Sequence, residues 1–179
     1  MTMPEIETAR LHLRMFTLDD LDALARIFSD PLVTKHLGTG QAASREETAI
    51  ALDSFIRHWQ QHGFGRWAVV DKEHGELVGY GGLRSLFGTP EVTYLLAKSY
   101  WGRGLATEVA RACLRYGFSE LASERIVAIT KLENVVSQRV LQKVGMQYET
   151  HANYFGMEVM RYRILRKDYW PDGSPYTIR

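Results

Sequence analysis

With 179 residues, 45% of them hydrophobic and 24% charged, the chain is long enough to bury a sizeable core. Its 22 Lys and Arg stand against 21 Asp and Glu, a balance that gives no electrostatic footprint for nucleic acid or a membrane surface. One cysteine excludes an internal disulfide, and no apolar run reaches the roughly eighteen residues of a membrane span. With no cleavable apolar leader at the N-terminus, the expected location is the cytoplasm.

Leu11, Leu13 and Met15 alternate with Arg10, His12 and Arg14, which predicts a half-buried first strand. Thr17-x-x-Asp20 then caps a helix whose apolar face is Leu21, Leu24, Ala25 and Phe28. Asp30-Pro31 stops that helix and opens a short helical turn. Ser44-x-x-Glu47 is a capping box for a helix carrying Leu52, Phe55, Ile56 and Trp59, and Gly63 ends it. Segments 67–71 and 76–80 form a hairpin across 72–75. A strand at 92–97 runs into Trp101-Gly-Arg-Gly-Leu-Ala-Thr107, from which a helix continues to about residue 121. Leu105, Val109, Ala112, Cys113 and Tyr116 fall on helical core spacing, so Cys113 reads as a buried structural thiol.

A strand at 125–130 leads to a helix with Val136, Val140, Leu141 and Val144 inward and Gly145 as its stop. Strands at 146–150 and 157–165 close the sheet, the second alternating Arg161 and Arg163 with Tyr162 and Ile164 as if one face were solvated. No repeat, linker or low-complexity tract interrupts 1–179, which predicts one α/β domain with a mixed, mostly antiparallel sheet.

Chemistry concentrates between residues 101 and 107. Two glycines let backbone N–H groups approach a ligand, and the helix N-terminus adds partial positive charge, a combination suited to phosphate. A nucleotide-hydrolase P-loop would need Lys-Ser/Thr after its last glycine, which is lacking. A dinucleotide fingerprint would need a third glycine where Thr107 stands and an acid where the next strand ends in Thr130-Lys131. A glycine-rich turn with no ligand is the plain alternative. His58 and His62 lie four apart on a helix without the Glu of a zinc-protease motif, so they read as a solvated face and no metal is expected.

The surrounding order extends the picture. Trp101-Gly-Arg-Gly-Leu-Ala106 precedes a helix, a strand and then Glu133-Asn134-x-x-Ser137 running to Gly145-Met146. With Thr8-Ala-Arg-Leu-His-Leu-Arg14, Asp19-Asp20 and Gly79-Tyr-Gly-Gly-Leu83, this resembles the GNAT superfamily of acetyl-coenzyme A-dependent N-acetyltransferases. Within it the chain is most similar to the branch that acetylates ribosomal-protein N-termini. The resemblance implies a GNAT fold with about six or seven strands and about four helices, in which strands 92–97 and 125–130 splay apart around the pantetheine arm. Backbone groups of Leu95, Leu96 and Ala97 are then expected to pair with the pantetheine amides. The N–H groups of Gly102, Arg103, Gly104, Leu105, Ala106 and Thr107 are expected to cradle the pyrophosphate. Trp101 departs from the Arg or Gln that opens the family's loop pattern, while Gly104 and Ala106 fit it.

An N–H near Leu95 or Leu96 is expected to stabilise the thioester oxygen as it gains charge. Ser137, behind the N-cap Asn134, matches a hydroxyl placed near the departing sulfur, and Asn134 and Ser137 are both expected to touch the cofactor. The family's tyrosine four residues further on is replaced by Leu141. Glu91 resembles a glutamate that another branch uses as a base through water. The implied cosubstrate is acetyl-coenzyme A, and the implied reaction is attack of a neutral primary amine on its thioester in a ternary complex. An α-amine, with a pKa of about 8, needs less help than a lysine at about 10.4. The resemblance implies a protein or peptide N-terminus as the leading acceptor. A small-molecule amine (amino acid, polyamine or antibiotic) and a non-catalytic coenzyme A-binding module are the alternatives. The resemblance places the acceptor cleft at 32–43 and 150–157; neither segment holds an acid, which disfavours a polyamine. A monomer or homodimer is expected.

Overall fold

The computed structural model describes residues 3–179. Strands β1 (Ile6–Thr8) and β2 (Leu11–Arg14) lead to helices α1 (Leu21–Phe28), α2 (Pro31–Thr34) and α3 (Arg45–His62). Strands β3 (Arg66–Asp71), β4 (Leu77–Leu86) and β5 (Thr89–Leu96) form a meander, followed by helix α4 (Leu105–Ser119). Strand β6 (Arg125–Lys131), helix α5 (Val135–Lys143) and strands β7 (Gln147–Tyr154), β8 (Met157–Leu165) and β9 (Tyr176–Ile178) complete the chain. All the strands form one sheet in the order β7-β8-β6-β5-β4-β3-β2-β1-β9. Every neighbouring pair is antiparallel except β5 and β6.

Local chemistry sets the helix boundaries. The Ser44 hydroxyl accepts the Glu47 N–H at 3.1 Å while the Glu47 carboxylate accepts the Ser44 N–H at 2.7 Å, and Gly63 closes α3 at φ 73°. Asp30 accepts the Leu32 N–H at 2.9 Å ahead of Pro31, which starts α2. The first helix begins later than its capping sequence suggests. Leu18–Asp20 is a 3-10 turn whose Asp20 carboxylate accepts the Thr17 N–H and pairs with Arg14, both at 2.8 Å. At the end of α5 the Met146 N–H reaches the Leu141 carbonyl at 3.0 Å, a wrap that Gly145 permits at φ 90°.

Two apolar clusters cover the two faces of the sheet. Val109, Ala112, Cys113 and Tyr116 of α4 pack on Trp67, Leu83, Val92 and Leu96. On the other face, Leu24 and Phe28 of α1 and Leu52 and Phe55 of α3 pack on Ala68, Tyr80 and Leu95. The close fit of α4 depends on Gly81, where a Cβ would collide with the Val109 side chain.

The sheet holds nine strands rather than six or seven. The additional ones are three-residue strands at the termini, with Ile6 opposite Ile178, and alternation over three residues leaves no pattern to read. Strand β4 runs on to Leu86, past Gly81 and Gly82, where the expected hairpin strand stopped at residue 80. Strand β7 continues to Tyr154 through a segment read as a loop, because an edge strand exposed on both faces carries no apolar alternation. The arginines of β8 are not simply solvated either. Arg161 and Arg125 reach Glu149 at 2.6 and 2.9 Å, and Arg163 lies 3.8 Å from the same carboxylate. Among the described residues no helix is long and apolar enough to cross a membrane.

Candidate active site

Strands β5 and β6 share one ladder position, Glu91 opposite Val127, and no further pair joins them on the way to Leu96 and Lys131. The sheet is therefore open between them at their C-terminal ends, as the resemblance implies. The register of β5 against β4, with the Ala97 N–H on the Val78 carbonyl at 2.8 Å, turns the backbone groups of Leu95 and Ala97 toward β4. Those of Tyr94 and Leu96 face the gap. The Leu96 carbonyl already accepts the Trp101 indole N–H at 2.8 Å, which leaves the Leu96 N–H, beyond that of Tyr94, as a donor pointing into the opening. Trp101, still 48% exposed, thus does something its place in the loop pattern did not foretell: it ties the loop back to the end of β5.

The loop after β5 is a row of donors. Gly102 and Gly104 sit at φ 73° and 77°, and Gly104 caps α4 with no side chain bonded to the first turn. Among the described residues, none of the N–H groups from Gly102 to Thr107 has a partner within the chain. A buttress holds this row in place. Arg10 donates to the Arg103 carbonyl at 2.8 Å. Glu108, in the first turn of α4, accepts from the Thr8 hydroxyl at 2.7 Å, the Arg10 N–H at 2.8 Å and the Arg10 side chain at 2.7 Å. Burial opposes the Glu108 charge, but these donors outweigh it and hold its pKa below the usual carboxylate range. Thr8-Ala-Arg10, quoted above only as a family likeness, acquires a physical role here.

Across the gap, Asn134 caps α5 by accepting the Ser137 N–H at 3.2 Å. The Ser137 hydroxyl lies 2.9 Å from the Tyr94 hydroxyl, which also reaches the Ser137 carbonyl at 3.3 Å. Burial pushes the Tyr94 phenol up to about 12, so it stays protonated and able to donate. The place four residues beyond Ser137 holds Leu141, 1% exposed in the core; Tyr94 brings a phenol to the serine from a strand instead. No local spacing could have revealed it, because the two residues are 43 apart in the chain.

Side chains alternate along β5, so Tyr94 faces α4 and α5 while Glu91, Thr93 and Leu95 face α1 and α3. Glu91 is 2% exposed and ion-paired with Arg84. Burial raises its pKa despite that arginine. The 32–43 segment closes this side, tied to the end of β6 by Lys131 on the Gly38 carbonyl at 2.9 Å. The 150–157 segment is a hairpin whose tip residue Phe155 stacks on Phe87 of the β4–β5 turn with centroids 6.0 Å apart.

His58 departs from its expected place on a solvated face. Its Nδ1 bonds the Phe64 carbonyl at 2.8 Å and its Nε2 accepts the Ser85 N–H at 3.0 Å, an arrangement that holds one neutral tautomer. Burial lowers its pKa. At the β3–β4 turn the ligand atoms of Asp71, Glu73 and His74 come within 4.8 Å of one another, with His74 Nδ1 2.6 Å from Asp71.

An open α/β sheet split beside an unpaired row of N–H donors is the framework of an acyl-coenzyme A-dependent transferase. The Acetyltransferase (GNAT) domain model matches residues 10–147, and the chain belongs to the GNAT acetyltransferase family. The uncharacterized N-acetyltransferase YoaA of Bacillus subtilis is 31% identical over 176 residues, spanning 97% of this chain and 92% of that protein. The FsC-acetyl coenzyme A-N(2)-transacetylase of Aspergillus fumigatus is 28% identical, spanning 98% of this chain and 82% of that one. The crystal structure of a GNAT-family acetyltransferase from Bacillus anthracis superposes with a TM-score of 0.80 at 28% identity, covering 91% of this chain and 99% of that one. The protein is an N-acetyltransferase, and its acceptor is an amine.

Proposed function

We propose that the protein transfers the acetyl group of acetyl-coenzyme A directly to an α-amino group, with a protein or peptide N-terminus as the leading acceptor. The observation that carries this reading is the gap between β5 and β6, which has the Leu96 N–H on one wall and the Tyr94–Ser137 hydroxyl pair across it. The N–H groups of Gly102, Arg103, Gly104, Leu105, Ala106 and Thr107 hold the pyrophosphate. Tyr94 and Leu96, rather than Leu95 and Ala97, supply the backbone groups that face the pantetheine, and the side chains of Leu95 and Ala97 back them. Acetyl-coenzyme A supplies an activated thioester; the chain supplies position, charge stabilisation and proton management.

The amine approaches from the α1/α3 face, where Glu91 accepts its proton through water. The Leu96 N–H stabilises the thioester oxygen as charge develops on it. Ser137, held by Asn134 and oriented by Tyr94, donates a proton to the departing sulfur. A small-molecule amine is the second reading, favoured by the Arg66 guanidinium, which lies over the Phe55 ring on this face with no carboxylate paired to it among the described residues; that charge also opposes a polyamine.

Thermal unfolding with acetyl-coenzyme A at about a hundred times its dissociation constant tests the first step. Binding adds about 2.7 kcal/mol, a rise of about 5–10 °C for a domain of this size. Coenzyme A release with a panel of peptides and amino acids tests the second. No shift refutes the cofactor assignment; a shift without turnover leaves a coenzyme A-binding module.

A further inference from the structure

The face of β5 that carries Glu91, Thr93 and Leu95 also carries a cation with no counter-ion. Arg66, the first residue of β3, reaches over Gly82 to β5, where its Nε donates to the Thr93 hydroxyl at 3.1 Å. Its guanidinium lies over the Phe55 ring at 4.8 Å and the Tyr80 ring at 5.4 Å. Among the described residues no carboxylate comes within 4.0 Å of it. The nearby acid, Glu91, is already paired with Arg84, and His58 is held neutral between Phe64 and Ser85. Arg66 and Arg84 against Glu91 leave one uncompensated positive charge in a half-buried, aromatic-walled site. Such a charge is costly to keep without a partner, and the remaining N–H groups of the fork stand ready for a bidentate one.

We propose that Arg66 is the anchor of an anion subsite that binds a carboxylate carried by the acceptor next to its α-amine, as in a free amino acid or a peptide beginning with Asp or Glu. The proposal rests on the acetyl-transfer reading above and narrows its acceptor. The distances agree. Thr93 and Leu95 are one pleat apart, about 7 Å along the strand. An amino-acid carboxylate carbon lies about 2.5 Å from its amine nitrogen, its C–O bond adds about 1.2 Å and a charge-assisted bond about 2.8 Å, a reach of about 6.5 Å. A carboxylate on Arg66 therefore leaves the amine beside Leu95 and Leu96, where the thioester carbonyl is proposed to lie. The subsite belongs to neither the 32–43 nor the 150–157 segment, and its positive charge opposes a polycationic acceptor.

The test is coenzyme A release by the whole protein with three sets of acceptors. These are the free amino acids, the same amino acids as primary amides, and short amidated peptides beginning with Asp, Glu or Ala. The expected result is a kcat/KM at least about thirtyfold higher for the best acids than for their amides, the scale for removing one partner of a buried charged contact. In Arg66→Gln that ratio falls to within about threefold of one, and Arg66→Lys recovers part of it. Preference for Asp- and Glu-led peptides over free amino acids assigns the carboxylate to a side chain; the reverse assigns it to the α-carboxylate. Equal rates for acids and amides together with equal rates for Asp-, Glu- and Ala-led peptides in the wild type overturn the subsite, and so does a preference that survives in Arg66→Gln. The wild-type comparison stands even if Arg66→Gln fails to fold, which its thermal unfolding reveals. Absence of turnover with every amine overturns the transfer reading as well, whereas turnover without discrimination overturns the subsite alone.

Discussion

Replacing Tyr94 by Phe removes one hydroxyl from the mouth of the β5–β6 gap and leaves the ring in place. The lost hydroxyl makes a neutral 2.9 Å bond to the Ser137 hydroxyl and a longer 3.3 Å one to its carbonyl. Its net worth to folding is about 1 kcal/mol, so the unfolding midpoint falls by about 2–4 °C. The effect on turnover is larger in proportion. Ser137→Ala deletes the proposed proton donor and lowers kcat about a hundredfold or more. Tyr94→Phe leaves the donor but frees its rotor, and the expected loss is about tenfold, or roughly 1.4 kcal/mol of barrier. The double variant is no slower than Ser137→Ala alone, because the two hydroxyls act as one unit. KM for acetyl-coenzyme A stays within about twofold in all three, since neither hydroxyl contacts the glycine loop proposed to hold the pyrophosphate.

The assays are steady-state coenzyme A release and thermal unfolding of the same preparations. Burial pushes the phenol up to about 12, so the turnover ratio of wild type to Tyr94→Phe is flat across neutral pH. A raised pKa gives stability that is complete below the unfolded value of about 10 and lost as pH rises toward the folded one, so the stability difference shrinks only in strong alkali. Wild-type kcat in Tyr94→Phe refutes the orienting role. Losses that multiply in the double variant refute the unit.

Gly104→Val forces a β-branched residue to φ 77° and stands its side chain among the N–H donors; acetyl-coenzyme A binding, read by calorimetry, weakens at least about a hundredfold while the fold persists. Glu108→Gln removes the charged acceptor behind the loop and costs about 1.5–3 kcal/mol at neutral pH. Because the Glu108 pKa is depressed, its contribution is present above the unfolded value of about 4.3 and disappears as pH falls through the lower folded value; denaturant titrations at pH about 7 and about 3 check this. Glu91→Gln lowers kcat/KM about a hundredfold and removes the acid limb of the pH profile, a limb that burial of Glu91 sets above the ordinary carboxylate range; an unchanged limb excludes Glu91 as base.

What was legible in the sequence was local. Ser44 and Glu47, Asp30-Pro31, Gly63 and Gly145 announce helix ends through chemistry confined to a few residues, and each does so in the structure. The glycine loop and its helix were readable for the same reason. The parts that were not legible join distant segments: Tyr94 meets Ser137 across 43 residues, and Glu108 meets Thr8 across 100. Arg66 drew no reading at all from the sequence, because only the fold sets two aromatic rings beneath it and pairs its neighbouring acid with another arginine. His58 read as solvated because helical spacing says nothing of a following strand folding back onto it. The backbone parity of β5, which turns Tyr94 and Leu96 rather than Leu95 and Ala97 to the gap, follows only from its register with β4.

The single cysteine gives this protein a built-in clock. Cys113 is 0% exposed on the sheet-facing side of α4, and burial raises its thiol pKa well above the ordinary range, so a thiol reagent reaches it only when that helix lifts from the sheet. Its labelling rate under native conditions therefore times one opening event at the helix that follows the glycine loop. Slowing of that rate by coenzyme A would report how strongly the ligand fastens the helix to the strands below, with no probe introduced.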